Sequence, residues 1–233
     1  MAPATLDVDV QQEFRLHTYY RSSCSARLRI ALNLKGISAE YVYILLYDDQ
    51  QLTKEYQEIN PSASVPVLTH LVGDGPSFPI AQSVAALEYL EEVYPDQYPL
   101  LPPRSQPLQR AKVRTLVNVI SNDVQPITNR RMIKAVTEFG ADGVQWSKKF
   151  MTRGLQAYET YVAKFAGKYS VGDNITLADV LLLPAIYGAE KNEVELETFP
   201  TIMRIYHELS ELDAVKRAHW SVQQDTPEDL SWI

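Results

Sequence analysis

Apolar and polar side chains alternate near the start of the chain and then change to a helical repeat. Every second residue over positions 14–20 falls on one face, which is the period of a β-strand. Over about residues 24–35 the apolar positions cover most of a helix surface, and Gly36 follows where a glycine commonly ends a helix. Residues 40–46 are rich in β-forming side chains. This order predicts a right-handed parallel β-α-β unit.

The next elements complete an α/β half. Residues 48–59 are polar and predict one irregular helix, and residues 65–69 predict a third strand with Pro66 at its entrance, where the missing N–H does least harm. Whether the bond before Pro66 is cis stays open at this point. A short strand ending near Ile80 leads to a helix for which Ser83 is the expected N-cap. This order of elements is typical of a thioredoxin-like domain.

The second half of the chain has a different period. Five prolines between residues 95 and 107 prevent a helix and indicate a linker. From residue 108 to about residue 220 the apolar positions repeat with the period of a helix, interrupted at prolines and glycines. We therefore predict an α/β thioredoxin-like N-terminal domain at residues 14–96, followed by an all-α helical C-terminal domain at residues 107–222.

Composition and charge narrow the class of protein. The 233 residues are 45% hydrophobic and 22% charged, as in a globular chain with one or two cores. No apolar run approaches the roughly 20 residues that span a bilayer, so we expect no membrane segment. The net charge of -7 argues against nucleic acid as a partner. The first thirteen residues contain Asp7, Asp9 and Glu13 without a basic residue, unlike a transit peptide, so the expected location is cytoplasmic.

The hydroxyl-rich turn between the first strand and the first helix is the main candidate for binding chemistry. Ser22, Ser23 and Ser25 stand at the predicted helix start, where unpaired N–H groups favour an anion. A second helix start, at Ser83, could lie at the same edge of the sheet, so that one elongated ligand with two carboxylates could bind there. No metal-ligand spacing or Ser/His/Asp arrangement stands out in the sequence.

Arg27 and Cys24 bring charge and a thiol into this turn. Arg27 falls in the apolar sector of the helix, so it needs a carboxylate or a bound ligand nearby, unless its side chain extends to solvent, which is an equally good alternative. Cys24 is the only cysteine, which excludes an internal disulfide and a C-x-x-C pair. A helix start beside an arginine is compatible with a reactive thiol, but packing as a small buried hydrophobe is slightly favoured.

A capping box is predicted in the second half. Thr176 and Asp179 stand three residues apart, ahead of a strongly apolar helix, so the threonine would cap the helix and the aspartate would reach back to it. Either residue could instead be catalytic. A structural role is the favoured interpretation because such caps are far commoner.

These residues fall into motifs that resemble the zeta class of glutathione transferases, whose best-known activity is that of maleylacetoacetate isomerase. The resemblance covers residues 14 to about 229. The motifs are Ser22-Ser23-Cys24-Ser25-x-Arg27 with Arg29-Ile30-Ala31-Leu32, Val65-Pro66, Gln82-Ser83 with Glu88 to Glu92, Gln125-Pro126, Gly172-Asp173 with Thr176 to Asp179, and Asp225-Thr226-Pro227.

The resemblance implies a site for glutathione as the cofactor. The thiol would lie among residues 22–27, a cis-Pro66 would precede the strand that pairs with the cofactor backbone, and the γ-glutamyl end would lie at Gln82 and Ser83. The cofactor-binding residues implied in this way are Ser22, Ser23, Cys24, Ser25, Ala26, Arg27, Gln51, Val65, Pro66, Gln82, Ser83, Gln125, Asn129, Arg130 and Arg131. The implied catalytic residues are Ser22, Ser23, Cys24 and Arg27, the implied substrate contacts are Arg27 and Lys191, and no metal is implied.

The implied activity is a glutathione-dependent cis-trans isomerisation. A thiolate would add to the double bond of maleylacetoacetate, a small dicarboxylate, and leave after rotation to give fumarylacetoacetate, a step of tyrosine and phenylalanine catabolism. A homodimer is also implied. The sequence departs from the family pattern in a longer segment at residues 73–77 and in Lys191, where the family often has an arginine. A lysine keeps the charge but loses the planar two-pronged geometry.

Three other functions stay open at the sequence level. The same thiolate could conjugate or dehalogenate small α-halo acids. Cys24 could serve as the nucleophile of a reductase or thioltransferase. The chain could also be a non-catalytic interaction module of the glutathione transferase type, although a scaffold has no need for an arginine in the serine-cysteine turn.

Overall fold

A computed structural model describes residues 13–71 and 77–230. The strands are β1 (Phe14–Thr18), β2 (Ala39–Tyr43), β3 (Val67–His70) and β4 (Pro79–Ala81). The helices are α1 (Ser23–Lys35), α2 (Lys54–Ile59), α3 (Ser83–Val93), α4 (Pro107–Asn118), α5 (Gln125–Thr128), α6 (Arg130–Glu138), α7 (Gly143–Phe165), α8 (Leu177–Lys191), α9 (Pro200–Ser210) and α10 (Asp213–Lys216). Asp7 and Asp9, and residues 73–76 of the longer segment, lie outside the described residues.

The sheet has the strand order β2-β1-β3-β4. β1 is parallel to β2 and antiparallel to β3, and Leu16 of β1 lies opposite Tyr41 on one side and Leu68 on the other. A parallel pair requires a crossover connection, which α1 provides. The predicted parallel β-α-β unit is therefore confirmed, with β3 and β4 as the antiparallel hairpin beside it.

Both strands of this unit end earlier than the sequence predicts, whether from alternation in the first strand or from β-forming side chains in the second. β1 stops at Thr18 because the Tyr19 carbonyl accepts a hydrogen bond from the Ser22 N–H at 3.0 Å and closes a turn. β2 stops at Tyr43, and a short helical turn begins at Leu46. Period-2 alternation continues through residues whose backbone has already left the sheet, so it overestimates the length of a strand.

The third strand and the third helix also begin differently from the prediction. β3 starts at Val67, after a cis bond between Val65 and Pro66. Ser83 as the N-cap of α3 is wrong, because Ser83 is the first helical residue and Gln82 occupies the cap position with a φ of 78°. The Ser83 hydroxyl accepts from the Arg27 guanidinium instead of capping its own helix.

The helical half surrounds α8, most of whose residues are buried. α8 packs against α1, and buried side chains of the sheet and of the helices form the main core. A smaller cluster around Tyr19, Tyr56 and Val67 lies beside it. The predicted fold class, thioredoxin-like and then all-helical, is confirmed. Residues 95–106 carry no helix, whereas Pro107 is the first residue of α4, where its missing N–H does no harm. The domain limits themselves stay a prediction.

No helix within residues 13–71 and 77–230 is long and apolar enough to cross a membrane.

Candidate active site

The turn that precedes α1 places three serines at the helix start. The Ser22 hydroxyl oxygen accepts from the Ser25 N–H at 3.1 Å and caps α1. Because this bond uses an oxygen lone pair, the Ser22 O–H remains able to donate to a ligand. The Ser23 hydroxyl differs, since it donates to the Pro184 carbonyl in α8 at 3.3 Å. The two adjacent serines therefore have different chemical roles.

Arg27 connects three parts of the chain. The residue is only 2% exposed, so the alternative of a side chain that extends to solvent is wrong. Its guanidinium donates to the Ser83 hydroxyl at 3.0 Å and to the Gln125 side-chain oxygen at 3.4 Å. Its Nε atom is buried without a hydrogen-bond partner in the described residues, and its recorded partners are neutral oxygens. A buried cation without a carboxylate favours a bound anion.

The hairpin brings the cis proline to the same edge of the sheet. Val67 of β3 pairs with Ala81 of β4, so the residues flanking this pair, Pro66 and Gln82, follow at one end of the hairpin. Gln82 has a left-handed backbone, which is uncommon for a residue other than glycine and is often found at functional sites. Ser83, which follows Gln82, is joined to α1 by its hydrogen bond with Arg27. A role of Val65, Pro66, Gln82 and Ser83 in cofactor binding stays a prediction.

Gln51 lies on the segment that follows β2, and Arg130 of α6 contacts that segment. Gln51 is buried, its amide nitrogen donates to the Asp49 carboxylate at 3.3 Å, and its side-chain oxygen has no partner within the described part of the chain. Arg130 of α6 donates to the Leu46 carbonyl and lies 3.5 Å from the same Asp49 carboxylate. Gln51 therefore keeps an unused acceptor, whereas Arg130 is already engaged with protein groups.

Asn129 and Arg131 have structural contacts as well. The Asn129 side chain accepts from the Met132 N–H at 3.0 Å and caps α6. Arg131 donates to the Ser62 carbonyl at 3.1 Å, which ties α6 to the loop before β3. These contacts join the two halves of the molecule, and a role of either residue in cofactor binding stays a prediction.

A pocket of about 670 Å³ opens between the α1 turn and α8. Ser22 and Ser23 line one side, and Lys191 at the end of α8 lines another. Cys24 is half-buried, and neither Cys24 nor Arg27 is among the lining residues of this pocket. The hydroxyl side and the lysine side face one volume, although 168 positions separate Ser23 from Lys191 in the sequence.

The charges around this pocket are mixed. Arg21, Lys191 and Lys216 contribute cations, and Glu190 contributes one carboxyl group. Burial raises the pKa of the Glu190 carboxyl, and a hydrogen bond with Tyr206 opposes that change only in part. An anionic ligand in the pocket would therefore meet more positive than negative charge, despite the net negative charge of the chain.

Family comparisons agree with this geometry. Residues 21–93 match the family described as glutathione S-transferase, N-terminal domain, and residues 132–218 match glutathione S-transferase, C-terminal domain. The maleylacetoacetate isomerase maiA of Aspergillus fumigatus is 54% identical over 92% of this chain and 94% of its own length. The chain belongs to the glutathione S-transferase family. The family resemblance inferred from the motifs is thereby confirmed.

Two solved structures of this family extend the comparison. A bacterial maleyl pyruvate isomerase described as zeta class is 36% identical, with a TM-score of 0.83. The match covers 91% of this chain and 100% of that chain. A maleylacetoacetate isomerase from Anaeromyxobacter dehalogenans with glutathione in its active site is 37% identical, with a TM-score of 0.84 over 92% of this chain and 98% of that chain. The similarity to the zeta class therefore extends to the fold of nearly the whole chain.

Sequence reasoning missed the aromatic residues of this glutathione S-transferase pocket. They come from α8, α9 and the segment after α10, namely Tyr187, Tyr206, His219 and Trp220. A signal was present for Tyr187, which stands one helical turn before Lys191 and so shares its face. The other three residues approach the pocket only through tertiary packing.

Proposed function

We propose that this chain is a glutathione-dependent cis-trans isomerase that converts maleylacetoacetate to fumarylacetoacetate. The main support is the position of the Ser22 hydroxyl. Its oxygen caps α1, so its proton remains available for a ligand, and Ser22 lines the same pocket as Lys191. The names of the similar proteins support the choice of substrate. A small dicarboxylate also suits the excess of cations around the pocket.

The residues present fit glutathione as the cofactor. Its thiol would lie at the Ser22 hydroxyl, its backbone beside the cis Val65–Pro66 bond, and its γ-glutamyl end at Gln82 and Ser83. Two buried polar atoms without partners in the described residues, Nε of Arg27 and the side-chain oxygen of Gln51, support a polar ligand here. Buried polar atoms are normally satisfied, so unpaired ones such as these two indicate a missing polar partner.

In the proposed mechanism the protein mainly stabilises charge and orients the substrate. Bound glutathione supplies a thiol that acts as a nucleophile and is regenerated at the end of the reaction. The Ser22 O–H would donate to the sulfur and favour its ionised form, and the α1 N-terminus and the buried Arg27 would act in the same direction. Lys191 attracts a substrate carboxylate, so that the double bond lies over the hydroxyl side of the pocket.

The test of this function is a rate measurement with maleylacetoacetate under three conditions. We expect turnover with glutathione, and none without it or with S-methylglutathione, which keeps the peptide groups but has no free thiol. Equal turnover in all three conditions would refute the role of the thiol. Halide release from a small α-halo acid without any isomerisation would instead favour the substitution chemistry that the sequence left open.

We further propose a homodimer and a cytoplasmic location. The homodimer rests on the resemblance of the sequence motifs to the zeta class. Light scattering of the purified protein tests the first proposal, and fractionation of the source cells tests the second.

A further inference from the structure

One side of α1 carries Arg29 and Asn33, and residues 213–227 cover it. We call residues 213–227 the C-terminal strap; it includes α10 and the turns that follow it. Asn33 of α1 donates to the Ala214 carbonyl at 2.9 Å, and Arg29 of α1 donates through Nε to the Ala218 carbonyl at 3.1 Å. The strap therefore lies along α1 over more than one helical turn.

Arg29 also donates hydrogen bonds to the turn that carries Ser22. The residue is 1% exposed, and although burial lowers the pKa of its guanidinium to about 10, the group stays charged at neutral pH. One nitrogen donates to the Tyr19 carbonyl at 3.3 Å and the other to the Tyr20 carbonyl at 3.1 Å. The Tyr19 carbonyl is the acceptor that closes the turn with the Ser22 N–H. Arg29 thus fixes the hydrogen bond that places Ser22.

Asp225 of the strap holds the same peptide segment from its other side. Its carboxylate accepts from the Tyr20 N–H at 2.8 Å. Tyr20 is therefore bound at its N–H by Asp225 and at its C=O by Arg29, two residues before Ser22. Next to Asp225, a hydrogen bond within the strap stabilises its conformation: the Thr226 hydroxyl donates to the Trp220 carbonyl.

We propose that Asp225 and Arg29 are positioning residues that set the Ser22 hydroxyl at the cofactor thiol, an inference that rests on the proposed function. We call the contacts of Asp225 and Arg29 with Tyr19 and Tyr20 the clamp. A charged hydrogen bond to a backbone group is stronger and shorter than a neutral one, so the clamp leaves the turn before α1 little freedom to move. The Asp225-Thr226-Pro227 motif, far from the serines in sequence, thereby acquires a role in the chemistry. Neither side chain needs to touch the substrate.

The first test compares Asp225→Ala and Asp225→Asn. Without an acceptor for the Tyr20 N–H, the turn can shift, and a hydroxyl misplaced by about 1 Å can reduce the rate up to roughly 10²-fold. We expect Asp225→Ala to raise the pKa of the bound glutathione thiol, read from thiolate absorbance, and to lower kcat at neutral pH at least about tenfold. Asp225→Asn keeps an acceptor oxygen, so most of both values should be retained.

The matched control is Asn33→Ala. It removes a contact between α1 and the strap that does not touch residues 19–22, so its effect should be on the melting temperature, with the thiol pKa unchanged. Binding of S-methylglutathione, which has no titrating thiol, should be nearly the same in all variants. Recovery of kcat in Asp225→Ala at higher pH would separate a shifted thiol pKa from a general loss of folded protein.

Arg29→Lys provides a second route if Asp225→Ala does not fold. Lysine keeps the charge but cannot hold the Tyr19 and Tyr20 carbonyls with one planar group, so the thiol pKa should rise here too. An unchanged thiol pKa in whichever of these two variants folds would overturn the positioning role. If the unaltered protein itself binds glutathione without lowering its thiol pKa, the proposed function fails, and this result is distinct from failure of the clamp.

Discussion

Ser22, Ser23 and Cys24 are adjacent in the sequence, but their hydrogen bonds distinguish them. The Ser22 oxygen accepts from the backbone and leaves its proton available, whereas the Ser23 proton is directed to the Pro184 carbonyl. Cys24 is half-buried and does not line the pocket. Ser22 is therefore the best-placed donor to a ligand thiolate, and Cys24 fits the packing role that the sequence slightly favoured.

Substitution of these residues tests the distinction. We expect Ser22→Ala to lose most isomerase activity, roughly 10²-fold by analogy with removal of one preorganised donor to an anion, and to raise the pKa of bound glutathione. Cys24→Ala should lose less than about tenfold, since it alters only packing near the site. An inactive Cys24→Ala beside a fully active Ser22→Ala would reverse the assignment and favour cysteine-based chemistry.

Arg27 and Arg29 of α1 show which residue environments a sequence can predict and which it cannot. Helical periodicity correctly placed Arg27 in the apolar sector of α1, but it left open whether the side chain has a buried partner or extends to solvent. Arg29 stood out as part of a sequence motif, and its partners include the Ala218 carbonyl, 189 positions away. No local pattern encodes such a contact, so the strap could not be predicted.

At the scale of elements, the capping box of α8 is confirmed and has a second function. Both oxygens of Asp179 are used: one accepts from the Thr176 N–H and the other from the Ser170 N–H, each at 2.8 Å. The second bond holds the segment that follows α7 against the start of α8. The residue is fully buried, and burial raises the pKa of its carboxyl despite these hydrogen bonds.

The expected effect of Asp179→Ala is on stability. It leaves two N–H groups without partners in the core, which costs about 2 to 4 kcal/mol, more than the loss of an ordinary N-cap. Asp173→Ala is the matched control, because this exposed aspartate accepts from only one backbone N–H, that of Lys168 at 2.8 Å. Urea unfolding measures both. Unaltered stability with lost turnover in Asp179→Ala would make the residue catalytic.

The site as a whole arises where the two halves meet. The sequence predicted the elements and the residue types at each helix start, because these depend on local spacing. It did not predict that the Ser23 hydroxyl would reach Pro184, or that Tyr206 and Trp220 would line the pocket with Ser22. These relations depend on how α8, α9 and the strap pack against α1, and local periodicity carries no information about that packing.

The stability of the whole molecule should depend on pH through two histidines, the buried His17 and the half-buried His219. Burial lowers the pKa of His17 in β1, and the nearby Arg15 lowers it further while Glu40 opposes this change. Burial and Arg29 lower the pKa of His219 in the strap. Because the pKa of each of these two histidines is lower in the folded state, the unfolded chain takes up protons first as the pH falls.

The sign of this dependence follows from proton linkage. As the pH falls from the ordinary histidine pKa of about 6.5 towards the lowered folded value, stability decreases by at most about 1.4 kcal/mol per pH unit for each histidine. Buried carboxyl groups with raised pKa, such as Asp179 and Asp225, act oppositely at lower pH, since the folded state then binds more protons. The measured curve is the sum of these contributions.

The difference between variants isolates His17 from that sum. Unfolding free energies of the unaltered protein, His17→Gln and His17→Leu, measured between about pH 7 and pH 5, should give a flatter curve for both variants, because neither can take up a proton there. The control is His207→Gln, which replaces an exposed histidine of α9 and should keep the original slope. The two His17 variants lose the ring contact with Tyr56 alike, so packing loss shifts their curves vertically and leaves the slope as the test. Parallel curves for the unaltered protein and both variants would mean that His17 titrates alike in the folded and unfolded states, contrary to the effect of its burial.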